Sequence, residues 1–289
     1  MNSQITIGDV QITAVSDAVL DHPLTLDLLF PSVPEDAWEP WRRRYPAAFG
    51  GPGRWHVNVG CYLLRSQGRT ILVDTGIGAA GGEIAASLNV PEGGRLLEKL
   101  RSLDVSPEDV NVVLLTHLHR DHVGWNVRRD GGRWCPTFPR ARYVVQQADW
   151  EAFHRPEVQA AFSLTYVEQA VSPLHNVAGL DLVTGDVSIT DEVTAVHTPG
   201  HTPGRVSVVI ASRDRAAVIT GDVIVHPVQV AEPDCAFRFD MDVDAARRMR
   251  YRLLERIEVE GMTVVGGHFP APGFGRVARD DGRRRWQVV

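Results

Sequence analysis

The sequence predicts a single α/β domain, residues 1–289, whose sheets are covered by helices. Three observations carry that expectation. Strand and helix patterns alternate along all 289 residues with no Ser/Gly/Pro-rich linker. Two stretches share one design: an apolar strand, a short turn, and a second apolar strand ending at an aspartate. Helical segments each carry one apolar stripe, as helices laid on a sheet do.

In chain order, the opening MNSQITIGDV has no basic start followed by a long apolar run, so neither a leader nor a membrane span is expected and the location expected is the cytoplasm. Residues 20–56 concentrate proline with Trp38, Trp41, Tyr45, Phe49 and Trp55 and lack a period. They are either a satellite packing cluster, a cap over a pocket, or a homodimer contact. The first hairpin is CYLLRSQGRTILVDTG, Cys61 to Gly76, turning at Ser66-Gln67-Gly68. A helix is expected over Arg95–Leu103, with Leu96, Leu97, Leu100 and Leu103 on one face, and Ser106-Pro107-Glu108-Asp109 reads as a capped first turn. The second hairpin, VSVVIASRDRAAVITGD, runs from Val206 to Asp222. A last helix, N-capped by Asp244, carries Met249, Leu253 and Ile257 on its apolar stripe.

Composition narrows the function. An apolar content of 44% is ample for a core, and a formal charge of −6 disfavours nucleic acid as partner. Arg42–Arg44 and Arg283–Arg285 are short and read as solvated surface. Cys61, Cys135 and Cys235 are odd in number and far apart, which suggests neither disulfides nor a thiolate metal site. A small-molecule substrate is expected.

The informative run is VVLLTHLHRDHVG, Val112–Gly124. A buried-strand pattern stops at Thr116 and is followed at once by His117, His119, Asp121 and His122. Alternate residues of an extended chain share a face, so His117 and His119 can point the same way. Asp121 and His122 lie close enough to serve a second ion. Three further apolar strands end the same way: EVTAV before His197 and His201, AAVIT before Asp222, and TVV before His268. Nitrogen and carboxylate donors without thiolate suit hydrolytic zinc. His22, His56, His154 and His175, lone in sequence, read as structural or surface groups. His197 and His226 read as pocket-wall groups or as supports behind a ligand.

THLHRDH, with the later His201, Asp222 and His268, resembles the metallo-β-lactamase superfamily over nearly the whole chain, from VDTG at Val73–Gly76 through GHFPAPG at Gly267–Gly273. The resemblance implies a four-layer αββα sandwich with two divalent metal ions, zinc by expectation, at one edge. It implies that His117, His119 and His201 hold one ion, that Asp121, His122 and His268 hold the other, and that Asp222 bridges them. It assigns no metal to Asp74, which is expected to orient a histidine or cap the turn at Thr75-Gly76. The superfamily's true lactamases place cysteine or serine where this chain has Asp222, and its flavo-diiron members replace the second motif histidine, here intact as His119, by glutamate. DHVGWNVRRDGGRWCPTFPRARYVV, GDVIVHPVQV and HFPAPGFGRV look like the lactonase and methyl parathion hydrolase-like branch. Acyl-homoserine lactonases carry a tyrosine where this chain has Val225, which leaves aryl esters, other lactones and phosphotriesters open.

The function expected is therefore a dinuclear metal-dependent hydrolase of small ester-type substrates, lactones or aryl esters, using a metal-bridging hydroxide, with Asp121 and Asp222 as catalytic carboxylates. Metal coordination lowers the pKa of water to about 7. Trp125, Phe153, His226 and Phe269 are expected to line the substrate pocket. The alternatives are a phosphotriesterase or phosphodiesterase, a glyoxalase II-like thioesterase, and a non-catalytic metal-stabilised protein.

Overall fold

The computed structural model describes residues 3–176 and 179–289; the expectation for the first two residues of the N-terminal stretch lies outside them. The first sheet takes its strands from β1 (Gln4–Ile7), β2 (Val10–Thr25), β3 (Arg54–Ser66), β4 (Arg69–Val73) and β5 (Val112–Leu114). A small separate hairpin, β6 (Val127–Asp130) and β7 (Arg133–Pro136), follows, and β8 (Arg142–Gln146) and β9 (Leu180–Val183) complete the first sheet. The second sheet runs in order through β10 (Val187–Thr190), β11 (Val193–His197), β12 (Val206–Ser212), β13 (Arg215–Ile219), β14 (Thr263–Val265), β15 (Phe274–Asp280) and β16 (Arg283–Val288). Each sheet contains an antiparallel hairpin followed by a parallel neighbour, β3-β4-β5 in one and β12-β13-β14 in the other.

Strand alternation decides the layers, because successive side chains leave opposite faces of a strand. Tyr62, Leu64, Ile71, Val73, Val112 and Leu114 of the first sheet pack with Val208, Ile210, Ala217, Ile219 and Val265 of the second, forming the layer between the sheets. The intervening residues Leu63, Leu72 and Val113 turn outward to helical cover that includes Leu96 and Leu100. On the other side Val209, Val218 and Val264 meet Leu253, Leu254 and Ile257 of the long helix Val243–Glu260. This is the αββα arrangement, with sheet on sheet at the centre.

Two local expectations shift. The long helix is capped by Asp242, whose carboxylate accepts the Ala245 N–H at 2.8 Å, and Asp244 falls inside the first turn. The cap sits where the chain leaves extended conformation, at φ −129° and ψ 97° for Asp242. Ser106 does start a capped turn with Pro107, but the turn closes after three residues as a 3₁₀ helix. No helix among the described residues is long and apolar enough to cross a membrane.

Candidate metal centre

Each strand that ends in a candidate ligand delivers it to the same edge of the sandwich. β5 runs out at Leu114, and Thr116 leads into His117; His119 then precedes the short helix Arg120–Val123, which presents Asp121 and His122 on consecutive positions. From the second sheet, the turn after β11 carries His201, the turn after β13 carries Asp222, and the turn after β14 carries His268. Gly200 and Gly221 take left-handed φ of 140° and 52° in these turns. At Gly200 a side chain would also strike the backbone of Ala246, so the loop carrying His201 can lie this close to the long helix only because the position is glycine.

The seven residues converge. Three groups have ligand atoms mutually within 4.8 Å: His117 with His119 and His201, His117 with His122 and Asp222, and Asp121 with His122 and His268. Asp222 stands between them. Its Oδ2 lies 3.3 Å from His201 Nε2 and 3.8 Å from His117 Nε2, while its Oδ1 lies 3.3 Å from His268 Nε2 and 3.7 Å from His122 Nε2. Asp121 Oδ2 lies 3.4 Å from His268 Nε2 and 3.6 Å from His122 Nε2.

Groups behind the histidines fix which nitrogen faces inward. His122 Nδ1 donates to Asp74 at 2.8 Å, His201 Nδ1 to Asp240 at 2.9 Å, and His268 Nδ1 to the Asn58 carbonyl at 2.9 Å. His117 Nδ1 lies 3.1 Å from Thr116 Oγ1, whose hydroxyl in turn donates to Asp74. These four rings therefore turn Nε2 into the cluster, whereas His119 turns Nδ1, 2.8 Å from His201 Nε2. Burial and the neighbouring rings hold His117 and His119 well below the usual imidazole pKa, in the neutral form a metal requires. Burial also opposes charge on His122 and His268, but the surrounding carboxylates prevail and push them up to about 10 and about 9.

The donor set fits divalent ions. His122 Nε2 and Asp222 Oδ1 are buried with no hydrogen-bond partner, an arrangement that costs about 1–3 kcal/mol per group unless something meets the atom. Imidazoles converging on carboxylates, with no thiolate, suit borderline and hard cations such as zinc, whose charge would take the place of the protons on His122 and His268.

A cavity of about 250 Å³ opens over this cluster. Its floor includes His119, Asp121, His201, Asp222 and His268; its walls include Leu24, Trp55, Phe162, Tyr166, Phe237 and Phe239, and among the described residues Arg120 is the one lysine or arginine lining it. Leu20, His22, Pro23, Leu24 and Trp55 of the aromatic N-terminal region lie on this wall. A larger cleft of about 820 Å³ between Trp41 and β16 contains none of the cluster residues.

None of the four side chains expected to line the pocket borders this cavity. Trp125 donates to the buried Asp17. Phe153 is wholly buried beside the His119 ring. His226 is enclosed by Phe30, Trp38, Phe49 and Trp55, and Phe269 packs edge-on against Trp286 in the layer under the long helix. His22, expected to be a structural or surface group, instead lines the cavity, stacked on Trp55 at 6.0 Å, with burial lowering its pKa to about 4. His197 binds the Pro203 carbonyl at 2.9 Å and does not join the cluster. Asp74 takes the orienting place expected of it. Sequence reading missed Asp240 and Asn58, which come from segments without a motif.

The family model described as "Metallo-beta-lactamase superfamily" matches residues 55–268. An N-acyl homoserine lactonase from a Bacillus species is 28% identical over 221 residues, covering 73% of this chain and 80% of that protein. Among solved structures, hydrolase AbOPH, described as in the beta lactamase superfamily, superposes with a TM-score of 0.83 at 25% identity, covering 99% of this chain and 96% of that one. AidC, described as a dizinc quorum-quenching lactonase in complex with a product, superposes with a TM-score of 0.79 at 19% identity over 99% of this chain and 96% of its own.

Proposed function

Because the chain belongs to the metallo-beta-lactamase superfamily, we propose that it is a metal-dependent hydrolase opening the ester bond of lactones and related small esters, with two zinc ions held by His117, His119, Asp121, His122, His201, Asp222 and His268. The observation that carries this reading is the divided carboxylate of Asp222, one oxygen turned to His201 and the other to His268, at the floor of a cavity with largely apolar walls. The lactonase relatives support the substrate class.

Two ions in this donor set supply Lewis acidity toward a carbonyl oxygen and make water a usable nucleophile near neutral pH. The protein's own groups do the rest. Leu24, Trp55, Phe162, Phe237 and Phe239 bind the apolar part of the ester and exclude bulk water from the reacting carbonyl. Asp121, which lines the cavity and is about a quarter exposed at its side chain, accepts the proton from the attacking water and returns it to the leaving alkoxide oxygen. The balance is one water added across one C–O bond, giving an acid and an alcohol, joined in one molecule when the substrate is a lactone. Asp74, Asp240 and Asn58 hold the imidazoles in the correct tautomer. We also read the chain as one domain in which residues 20–56 form part of the cavity's cap.

The test is metal analysis of the purified protein together with hydrolysis of a panel of lactones, aryl esters, phosphotriesters and phosphodiesters, before and after chelation, with Asp222→Ala as control. About two metals per chain and an ester or lactone turnover abolished in the variant support the reading. Metal-independent turnover, or a preference for phosphodiesters, overturns it.

A further inference from the structure

The long helix Val243–Glu260 carries an arginine with no counterpart among the candidate ligands and no role in the reaction as described. Arg250 is buried, its side chain 1% exposed, although a guanidinium loses strong hydration on leaving water and is retained inside only when fully engaged. It is engaged on every nitrogen. Nε donates to the Val223 carbonyl at 2.9 Å, Nη1 to the carbonyls of Pro233 and Cys235 at 2.7 and 3.1 Å, and Nη2 faces Asp240 Oδ2 at 3.5 Å.

Two of those acceptors adjoin one half of the cluster. Val223 follows Asp222 in the chain, and Asp240 receives the Nδ1 proton of His201. The segment bearing Asp240 is tied to the His201 loop a second time through the backbone: Met241 N–H donates to the His201 carbonyl at 3.0 Å, and Asp242 N–H to the Gly200 carbonyl at 2.9 Å. Asp242 then caps the long helix, and Arg250, two turns further on, reaches back to Asp240. Helix, connecting strap and His201 loop thus close into a ring of contacts, with the guanidinium at its centre. The other half of the cluster is held differently, His122 by Asp74 and His268 by the Asn58 carbonyl, both from the first sheet.

We propose that Arg250 is a positioning residue that fixes His201 through Asp240, and so sets the affinity of the ion held by His117, His119 and His201 more than that of its neighbour. This rests on the two-ion reading above. The planar fork matters as well as the charge, because a lysine ammonium at the same depth can meet Asp240 or the carbonyls but not all of them.

The experiment uses the full chain as wild type, Arg250→Met, Arg250→Lys and Asp240→Asn. Each is stripped of metal, checked for folding by circular dichroism and thermal unfolding, and titrated with Zn2+ against a chromophoric chelator and with Co2+ followed by visible absorption. Wild type is expected to bind two equivalents. In Arg250→Met one equivalent is weakened by about tenfold or more, the range typical for groups that orient a metal ligand, while the other stays within about threefold. The Co2+ bands of the weakened site change, and Arg250→Lys lies between wild type and Arg250→Met. Asp240→Asn, which keeps the arginine and the backbone ties, weakens the same equivalent. Should Arg250→Met fail to fold, Arg250→Lys and Asp240→Asn carry the same asymmetry. Equal weakening of both equivalents, or unchanged affinities in folded variants, overturns the proposal. Wild type that binds no metal overturns the two-ion reading itself.

Discussion

The buried carboxylate of Asp74 joins the two ends of the THLHRDH segment: Oδ2 accepts from His122 Nδ1 at 2.8 Å, and Oδ1 accepts the Thr116 N–H at 2.7 Å. An amide in its place can still accept from Thr116, but it then presents N–H to His122 Nδ1 and favours the tautomer protonated on Nε2, the nitrogen that faces the cluster. Asp74→Asn is therefore expected to weaken metal binding by about 10- to 100-fold, most strongly for the ion of Asp121, His122 and His268. Competition titration with a chelator reads this; an unchanged affinity would show that Asp74 only closes the turn.

Phe162 lines the cavity and is not one of the candidate ligands. Replacing it by alanine removes apolar contact worth about 1–2 kcal/mol. For a lactone with an extended apolar substituent, KM is expected to rise roughly tenfold with kcat little altered, since contact made equally in ground and transition states affects binding alone. A fall in kcat at constant KM would place Phe162 in the reaction and not in the wall.

Phe269 separates wall from core in the opposite sense. It is fully buried against Trp286, so Phe269→Ala is expected to cost about 3–5 kcal/mol in urea unfolding while substrate preference within the panel stays as in wild type. An altered preference without loss of stability would return Phe269 to the pocket.

Asp17 provides the pH dependence. Its carboxylate accepts the N–H groups of Ile77 and Leu96, both at 2.7 Å, and the Trp125 indole at 3.2 Å, yet burial still raises its pKa to about 6. Between the unfolded value near 3.8 and the folded value near 6 the native state binds the extra proton, so this group's contribution is fully present below the lower value and is lost as pH rises through the higher one. Relative to Asp17→Asn, wild type is expected to lose up to about 3 kcal/mol between pH 4 and pH 7. Denaturant curves of both proteins across that range decide it, and a constant difference would show that the group does not titrate in this window.

How much of this was legible in the sequence depended on whether the determinants were local. The ligands announced themselves because each sits within a few residues of an apolar strand end, and both period and polarity change there. The two hairpins were visible because alternation and turn residues act over short spans. Asp240, Asn58 and Arg250 were not visible, since each acts across the fold on a residue from another segment. The pocket wall failed for a related reason. Phe269 adjoins His268 in sequence, but the turn after β14 sends its ring to the far face of the second sheet. His22, which reads in the sequence as a structural or surface group, is wall because β2 carries it past the aromatic region toward the cluster.

The origin of the ligands has a mechanical consequence. His117, His119, Asp121 and His122 leave the first sheet, and His201, Asp222 and His268 leave the second, so each ion in the proposed assignment is shared across the seam between them. The metals are then a clasp as well as a reagent. Only a sandwich whose two leaves have closed in register can grip them tightly, and once gripped they resist the parting of those leaves, so the protein becomes competent for chemistry and hard to pull apart at the same moment.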